Sequence, residues 1–256
     1  MRAVILAGGL GMRLRPYTTI LPKPLVPVGD RPILEHIIRR LAACGVTSVD
    51  VCVGHLGELI RVYFSQQDKL PVDLELRWHW EDEPLGTAGA LGTVAGLDET
   101  FIAMNGDVLT TLDYRELVDY HREHDAALTV ATQAKRVDID LGVIVSEGGL
   151  ITDYREKPSL HYEVSMGIYV YEPRVLEYLP GGSCQFPDLV LKLLDAGERV
   201  AAFPCDAEWY DIGTTHEYER ALEALELRPS AFSLEGPIPP MEAGGIDSAL
   251  RLHRQG

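Results

Sequence analysis

The chain has 256 residues, 46% of them hydrophobic, with Gly (24) and Pro (16) near average usage; this excludes a disordered or fibrous chain and suits one large domain. A formal net charge of −16 makes a surface that repels phosphate backbones, which argues against DNA or RNA as partners. Four cysteines without C-x-x-C spacing, and no apolar run near the roughly 18 residues of a membrane span, point to free thiols, no membrane segment and a cytoplasmic location.

The segment RAVILAGG (2–9) is β-branched, continuously apolar and stopped by glycine, so it predicts a buried strand rather than a secretory signal. Residues 30–45 predict a helix: Asp30 as cap, Pro32 in the first turn, Ile33, Ile37, Leu41 and Ala42 on one face, and Gly45 as stop. A strand at 48–54 and a helix at 57–67 follow. Residues 73–80 alternate with period two, 86–97 suit a helix of small residues, and 101–107 form a buried strand ending in a polar turn. Such alternation argues for an α/β domain on a Rossmann-like, mostly parallel sheet flanked by helices. Ligands of such sheets sit beyond the carboxyl ends of the strands, where Gly8-Gly9 and Asn105-Gly106-Asp107 both fall.

From 127 to 171 the pattern becomes strand-rich, with Glu147-Gly148-Gly149 as a hairpin turn. Helices return at 187–197 and 215–227. The Pro- and Gly-rich remainder lacks periodicity, so the expected organisation is one domain over 1–226 and a loosely ordered tail over 227–256.

Gly8, Gly9 and Gly11 are followed by two cations, Arg13 and Lys23. A dinucleotide fingerprint is absent because Leu14 stands where its third glycine belongs, and a Walker A loop is absent because no Gly-Lys-Ser/Thr follows. What remains is a turn whose backbone N–H groups can cradle an anion, with neighbouring cations to neutralise it.

The longer string GGLGMRLRPYTTILPKPLVPVGDRP resembles the motif of sugar-1-phosphate nucleotidylyltransferases, with Met12 in place of the usual Thr and Arg15 at a variable position. Further segments resemble that family in order: EPLGTAGAL (83–91), NGD (105–107), REKP (155–158) and WYDIGTTHEYERA (209–221). The resemblance spans residues 1 to about 226 and implies the nucleotide-diphospho-sugar transferase fold with a strand-rich sugar-binding portion. It further implies transfer of a nucleotidyl group from a nucleoside triphosphate to a sugar-1-phosphate, with pyrophosphate released. The form of 83–91 is similar to that of mannose-1-phosphate guanylyltransferases, which implies GTP. Thymidylyl, cytidylyl and other nucleotidyl transfers stay open, as does a non-catalytic NDP-sugar sensor.

The resemblance assigns Leu6, Ala7, Gly8, Gly9, Gly11, Met12, Arg13, Lys23, Glu83, Pro84, Gly86, Thr87 and Ala88 to the nucleotide. It assigns Asn105, Gly106, Gly142, Glu156, Lys157 and Gly167 to the sugar phosphate, Arg13, Lys23 and Asp107 to catalysis, and Asp107 with Asp211 to a magnesium ion. Where relatives often carry an Asn, this chain has Ser165. Homo-oligomers, dimers or tetramers, are common among relatives. The chemistry is consistent with these residue types. A sugar phosphate is largely a dianion at neutral pH, so the reaction needs no side-chain nucleophile or general base. Its obstacle is repulsion between two polyanions, which positioned cations and a hard dication relieve.

Overall fold

The structure is a computed structural model that describes residues 1–9, 11–14, 16–65, 70–71 and 73–232. In chain order the elements are β1 (Arg2–Ala7), a short ladder of β2 (Pro27–Val28) and β3 (Arg31–Pro32), α1 (Ile33–Ala43), β4 (Ser48–Val53), α2 (Gly57–Phe64), β5 (Glu75–Trp80) and α3 (Gly86–Gly89). They continue with β6 (Phe101–Asn105), β7 (Val108–Thr110), α4 (Tyr114–Glu123), β8 (Leu128–Asp138), β9 (Val143–Glu147), β10 (Leu150–Arg155) and β11 (Ser159–Tyr171). The last elements are α5 (Phe186–Asp195), β12 (Val200–Pro204), β13 (Trp209–Asp211), α6 (Thr215–Leu227) and α7 (Pro229–Phe232).

Seven strands form the central sheet in the order β12-β8-β11-β6-β1-β4-β5. Pairings around β1, β4, β5 and β6 are parallel, and only β11 runs against its neighbours. Strand alternation divides the core between the two faces. Ala3, Ile5 and Ala7 of β1 join Val49, Val51 and Val53 of β4 under α1, α2, α4 and α6. On the opposite face Val4, Cys52, Phe101 and Ala103 pack with Leu189 and Leu193 of α5. Both faces are covered, which is why these strands read as continuous apolar runs rather than half-polar ones.

Several local expectations shift. The first helix starts at Ile33 with Pro32 as its N-cap residue, and Asp30 makes no cap hydrogen bond. The helix expected over 86–97 shrinks to α3 and a 3-10 turn at Ala90–Thr93. Its glycines give little helical stability, and Ala88 and Gly89 donate their N–H groups to Cys184 O at 3.0 Å instead of holding a long helix. The 57–67 expectation is met by α2 up to Phe64, and residues 66–67 lie outside the described residues. The hairpin turn is present between β9 and β10, with Gly148 and Gly149 both at positive φ (57° and 84°) as a type I′ turn demands. The expected tail from 227 begins inside the domain: α7 follows α6, and Phe232 is buried in the core. Residues 233–256, the rest of that tail, lie outside the described residues, as does Arg15.

Beyond the sheet, β8 and β11 run on as a projecting two-stranded arm, Gln133 to Asp138 against Ser159 to Val164, with the β9–β10 hairpin between them in sequence. The register shift between Ser165 and Tyr169, where Gly167 takes φ +73°, marks the change from arm to sheet. Among the described residues, no helix is long and apolar enough to cross a membrane.

Candidate active site

Because β1, β5 and β6 all run in the same direction, their carboxyl ends meet at one edge of the sheet. There they frame a cleft of about 370 Å³. Its walls are Leu6 to Gly9 after β1, Glu81 after β5, Pro84, Gly86 and Thr87, Asn105 to Asp107 after β6, Asp211 from β13, and Arg13, Lys23 and Pro24 from the first loop.

The loop returns to the cleft through a glycine. Gly11 sits at φ +60°, and a Cβ there would lie 3.1 Å from both Lys23 Cβ and Thr18 Cγ2. The Thr18 hydroxyl donates to Gly11 O at 2.7 Å, and Leu14 is buried beneath the next turn. These contacts bring Arg13 and Lys23, ten residues apart, to the same mouth.

Asp107 and Asp211 meet through main chain. Strand β13 pairs antiparallel with β7, placing Asp211 opposite Val108, and Ile212 N–H donates to Asp107 O at 3.0 Å. Lys23 Nζ pairs with Asp107 Oδ2, while Asp107 Oδ1 is buried with no hydrogen-bond partner. Partial desolvation, and then the Asp107 carboxylate beside it, push the Asp211 carboxyl above the usual range, against the pull of Lys23 and Arg13. Asp211 is exposed as a whole residue, so solvent moderates that shift. A Cβ on Gly213 would lie 3.2 Å from Arg13 Nη2 and 3.5 Å from Asp211 Oδ1, so cation and carboxylate flank the same glycine.

Of the residues expected at the nucleotide, Leu6, Ala7, Gly8, Gly9, Arg13, Lys23, Pro84, Gly86 and Thr87 line the cleft. Gly11 supports Lys23 from behind. Met12, 61% exposed, Glu83, also exposed, and the buried Ala88 do not line it. The Thr87 hydroxyl is committed elsewhere, accepting from Phe186 N–H at 2.8 Å at the start of α5. Asn105 and Gly106 line the cleft, and Gly167 packs on the Asn105 amide, 2.6 Å from a Cβ placed on the glycine. Gly142, Glu156 and Lys157 are not in its lining but on the arm side, where a side chain at Gly142 would collide with Tyr154 and Tyr154 Oη donates to Glu156 Oε2 at 2.8 Å. Lys157 is held at φ +41°, a conformation that a side-chain-bearing residue adopts at a cost.

Sequence reasoning missed Glu81. Its N–H donates to Val53 O at 2.9 Å as the chain leaves β5, and its Oε2 accepts Leu85 N–H at 3.2 Å. The carboxylate leans over Gly8, where a Cβ would collide with it. The acidic run Glu81-Asp82-Glu83 drew attention only to its last member; the signal available was that Glu81 directly follows a strand end.

The Nucleotidyl transferase family model matches residues 2–227. The chain belongs to that family. It is similar to UTP--glucose-1-phosphate uridylyltransferase of Synechocystis sp., 33% identical over 93% of this chain and 73% of that protein. It is also similar to the mannose-1-phosphate guanyltransferase of Candida albicans, 31% identical over 85% of this chain but only 62% of that longer protein. Among solved structures it resembles HddC from Yersinia pseudotuberculosis, with a TM-score of 0.69, 25% identity, and coverage of 88% of this chain and 99% of that one. HddC has also been solved in complex with GMP-PN. A nucleotidyltransferase acting on a sugar-1-phosphate therefore accounts for the cleft, and the relatives differ over the base.

Proposed function

We propose that this enzyme transfers a guanylyl group from GTP to a sugar-1-phosphate, with Mg²⁺, in the cytoplasm. The observation that carries the base is Glu81. A carboxylate is an acceptor only, and it suits guanine, whose N1–H and N2 amino group present two adjacent donors. Uracil and thymine present a single N–H between two carbonyl oxygens, which a carboxylate repels. The guanyltransferase relatives and the GMP-PN complex of HddC support the same base. The uridylyltransferase relative supports the alternative, uridylyl transfer. Four free cysteines suit a reducing compartment.

The residues fit a magnesium ion. Asp107 Oδ1 is a buried oxygen lacking a partner, and Asp211 stands beside it. No group of three or more His, Cys, Asp or Glu gathers among the described residues, which suits Mg²⁺, a cation that keeps waters and substrate phosphate oxygens as ligands. When bound, the metal supplies positive charge to the triphosphate. Arg13 and Lys23 hold the phosphates from the other side, and the glycine turn offers N–H dipoles. A sugar-phosphate oxygen then attacks the α-phosphorus, the bond to the bridging oxygen breaks, and pyrophosphate leaves with that electron pair. Glu156, Lys157 and Gly142 would close on the sugar phosphate from the arm.

Pyrophosphate release with Mg²⁺, measured for five nucleoside triphosphates against a panel of sugar-1-phosphates, tests this reading. Release that requires both substrates and is fastest with GTP is the expected result. Fastest release with UTP or dTTP would replace the base, and tight NDP-sugar binding without release from any pair would replace the enzyme by a sensor.

A further inference from the structure

The pairing of Lys23 with Asp107 bears on how the cleft would take up a metal. Lys23 has 11% side-chain exposure and Asp107 25%, so water compensates neither charge fully. Lys23 occupies Asp107 Oδ2, one of the two oxygens that carboxylate can offer a metal, and leaves Oδ1 buried and bare. Arg13 stands on the other side, beside Asp211 across Gly213. Two cations thus already stand against two carboxylates, and one of them, Lys23, forms an ion pair with Asp107. A dication entering this arrangement alone would gain the carboxylates but meet the Lys23 ammonium at short range.

A triphosphate changes that balance. It offers Lys23 several phosphate oxygens, and an ammonium on a flexible stem can move to them where a fixed fork could not. Asp107 Oδ2 is then released, and the position beside it needs a cation. We infer that Lys23 serves as the resident counter-ion of the metal site, pairing with Asp107 until a nucleotide triphosphate draws it away, so that metal and nucleotide bind as a coupled pair. The inference rests on the reading of the cleft as a metal–nucleotide site. It assigns Lys23 two successive partners, and linkage requires the coupling to work in both directions: metal must raise nucleotide affinity as much as nucleotide raises metal affinity.

The test uses Mn²⁺ alone with the full chain and no nucleotide, reading free Mn²⁺ by its paramagnetic resonance signal. Lys23→Met keeps the length of the side chain without its charge, and is expected to bind one Mn²⁺ about tenfold or more tighter than the unmodified chain. Lys23→Arg, which keeps a cation there, should stay weak, and adding Asp107→Asn to Lys23→Met should abolish the gain. Equal affinity of Lys23→Met and the unmodified chain would overturn the inference, as would tight Mn²⁺ binding by the unmodified chain. Should Lys23→Met fold poorly, Lys23→Gln gives a second readout. Mn²⁺ should raise its melting temperature more than that of the unmodified chain, and an equal rise overturns the exchange. Pyrophosphate release by the unmodified chain separates the two levels. Release with equal Mn²⁺ affinities removes the Lys23 exchange and leaves the transferase, whereas no release and no Mn²⁺ uptake with GTP present removes both.

Discussion

At the cleft, polar side chains are paired within the protein: Lys23 with Asp107, Glu81 with the Leu85 N–H, Thr87 with the Phe186 N–H. Along the arm, Leu141, Leu150 and Ile151 are 74%, 75% and 66% exposed, and the β9–β10 hairpin forms a two-stranded sheet of its own, apart from the central seven strands. The difference follows from support. Leu6 to Gly9 and Asn105 to Asp107 leave the carboxyl ends of β1 and β6, strands buried on both faces, so their backbone positions are set before any ligand arrives. Arm residues have no such backing, and Gly142, Glu156 and Lys157 are brought together by Tyr154 and a short turn. In the proposed reaction the triphosphate would meet the part of the site backed by the core, and the sugar phosphate would meet the exposed arm.

Substitutions can break or sharpen that contrast. The largest effect is expected from Asp107→Asn, which should lower kcat by about a hundredfold or more while the melting temperature barely moves; near-normal turnover in the folded variant would remove Asp107 from the mechanism. Glu81→Gln keeps shape but adds an amide donor, and should lower kcat/KM for GTP relative to UTP by about 10- to 100-fold with KM for the sugar-1-phosphate unchanged. An unaltered base preference would mean the carboxylate does not read the base. Lys157→Ala, on the arm, should raise KM for the sugar-1-phosphate by about tenfold and leave nucleotide affinity untouched in equilibrium binding. If nucleotide affinity falls as well, the arm and the cleft form one site rather than two.

The smallest effect concerns pH. The Asp211 carboxyl is pushed above its usual range by desolvation and Asp107, so the folded chain is penalised for holding it charged at any pH above its unfolded pKa. Asp211→Asn should therefore raise the metal-free melting temperature at neutral pH, by about one or two degrees, and the gain should fade as pH falls through the raised pKa. A lower melting temperature at neutral pH would mean that Lys23 and Arg13 outweigh those two penalties.

Much of this arrangement was legible in the chain itself. The apolar runs at 2–7, 48–53 and 101–105 are sheet strands, and the residues after the first and third form two walls of the cleft. The helix α4 carried no expectation although its signal stands in the chain: Asp113 caps it, and Tyr114, Leu117, Val118 and His121 fall at i, i+3, i+4 and i+7 on one buried face with charged residues between them. The placement of Gly142, Glu156 and Lys157 on the arm was hidden, since it depends on how far β8 and β11 run past the sheet.

What the sequence determined by itself was local: which stretches are buried on both sides, where glycine turns end them, and which cations stand close behind the first turn. Periodicity records how each residue meets water, and turn chemistry records where the chain can bend. Only the tertiary structure decided which distant residues meet. Asp107 and Asp211 are joined by β7 and β13, strands of three residues each, too short to carry a period. Glu81 enters the cleft because β5 ends level with β1 across β4, a consequence of strand order and register that no local pattern encodes.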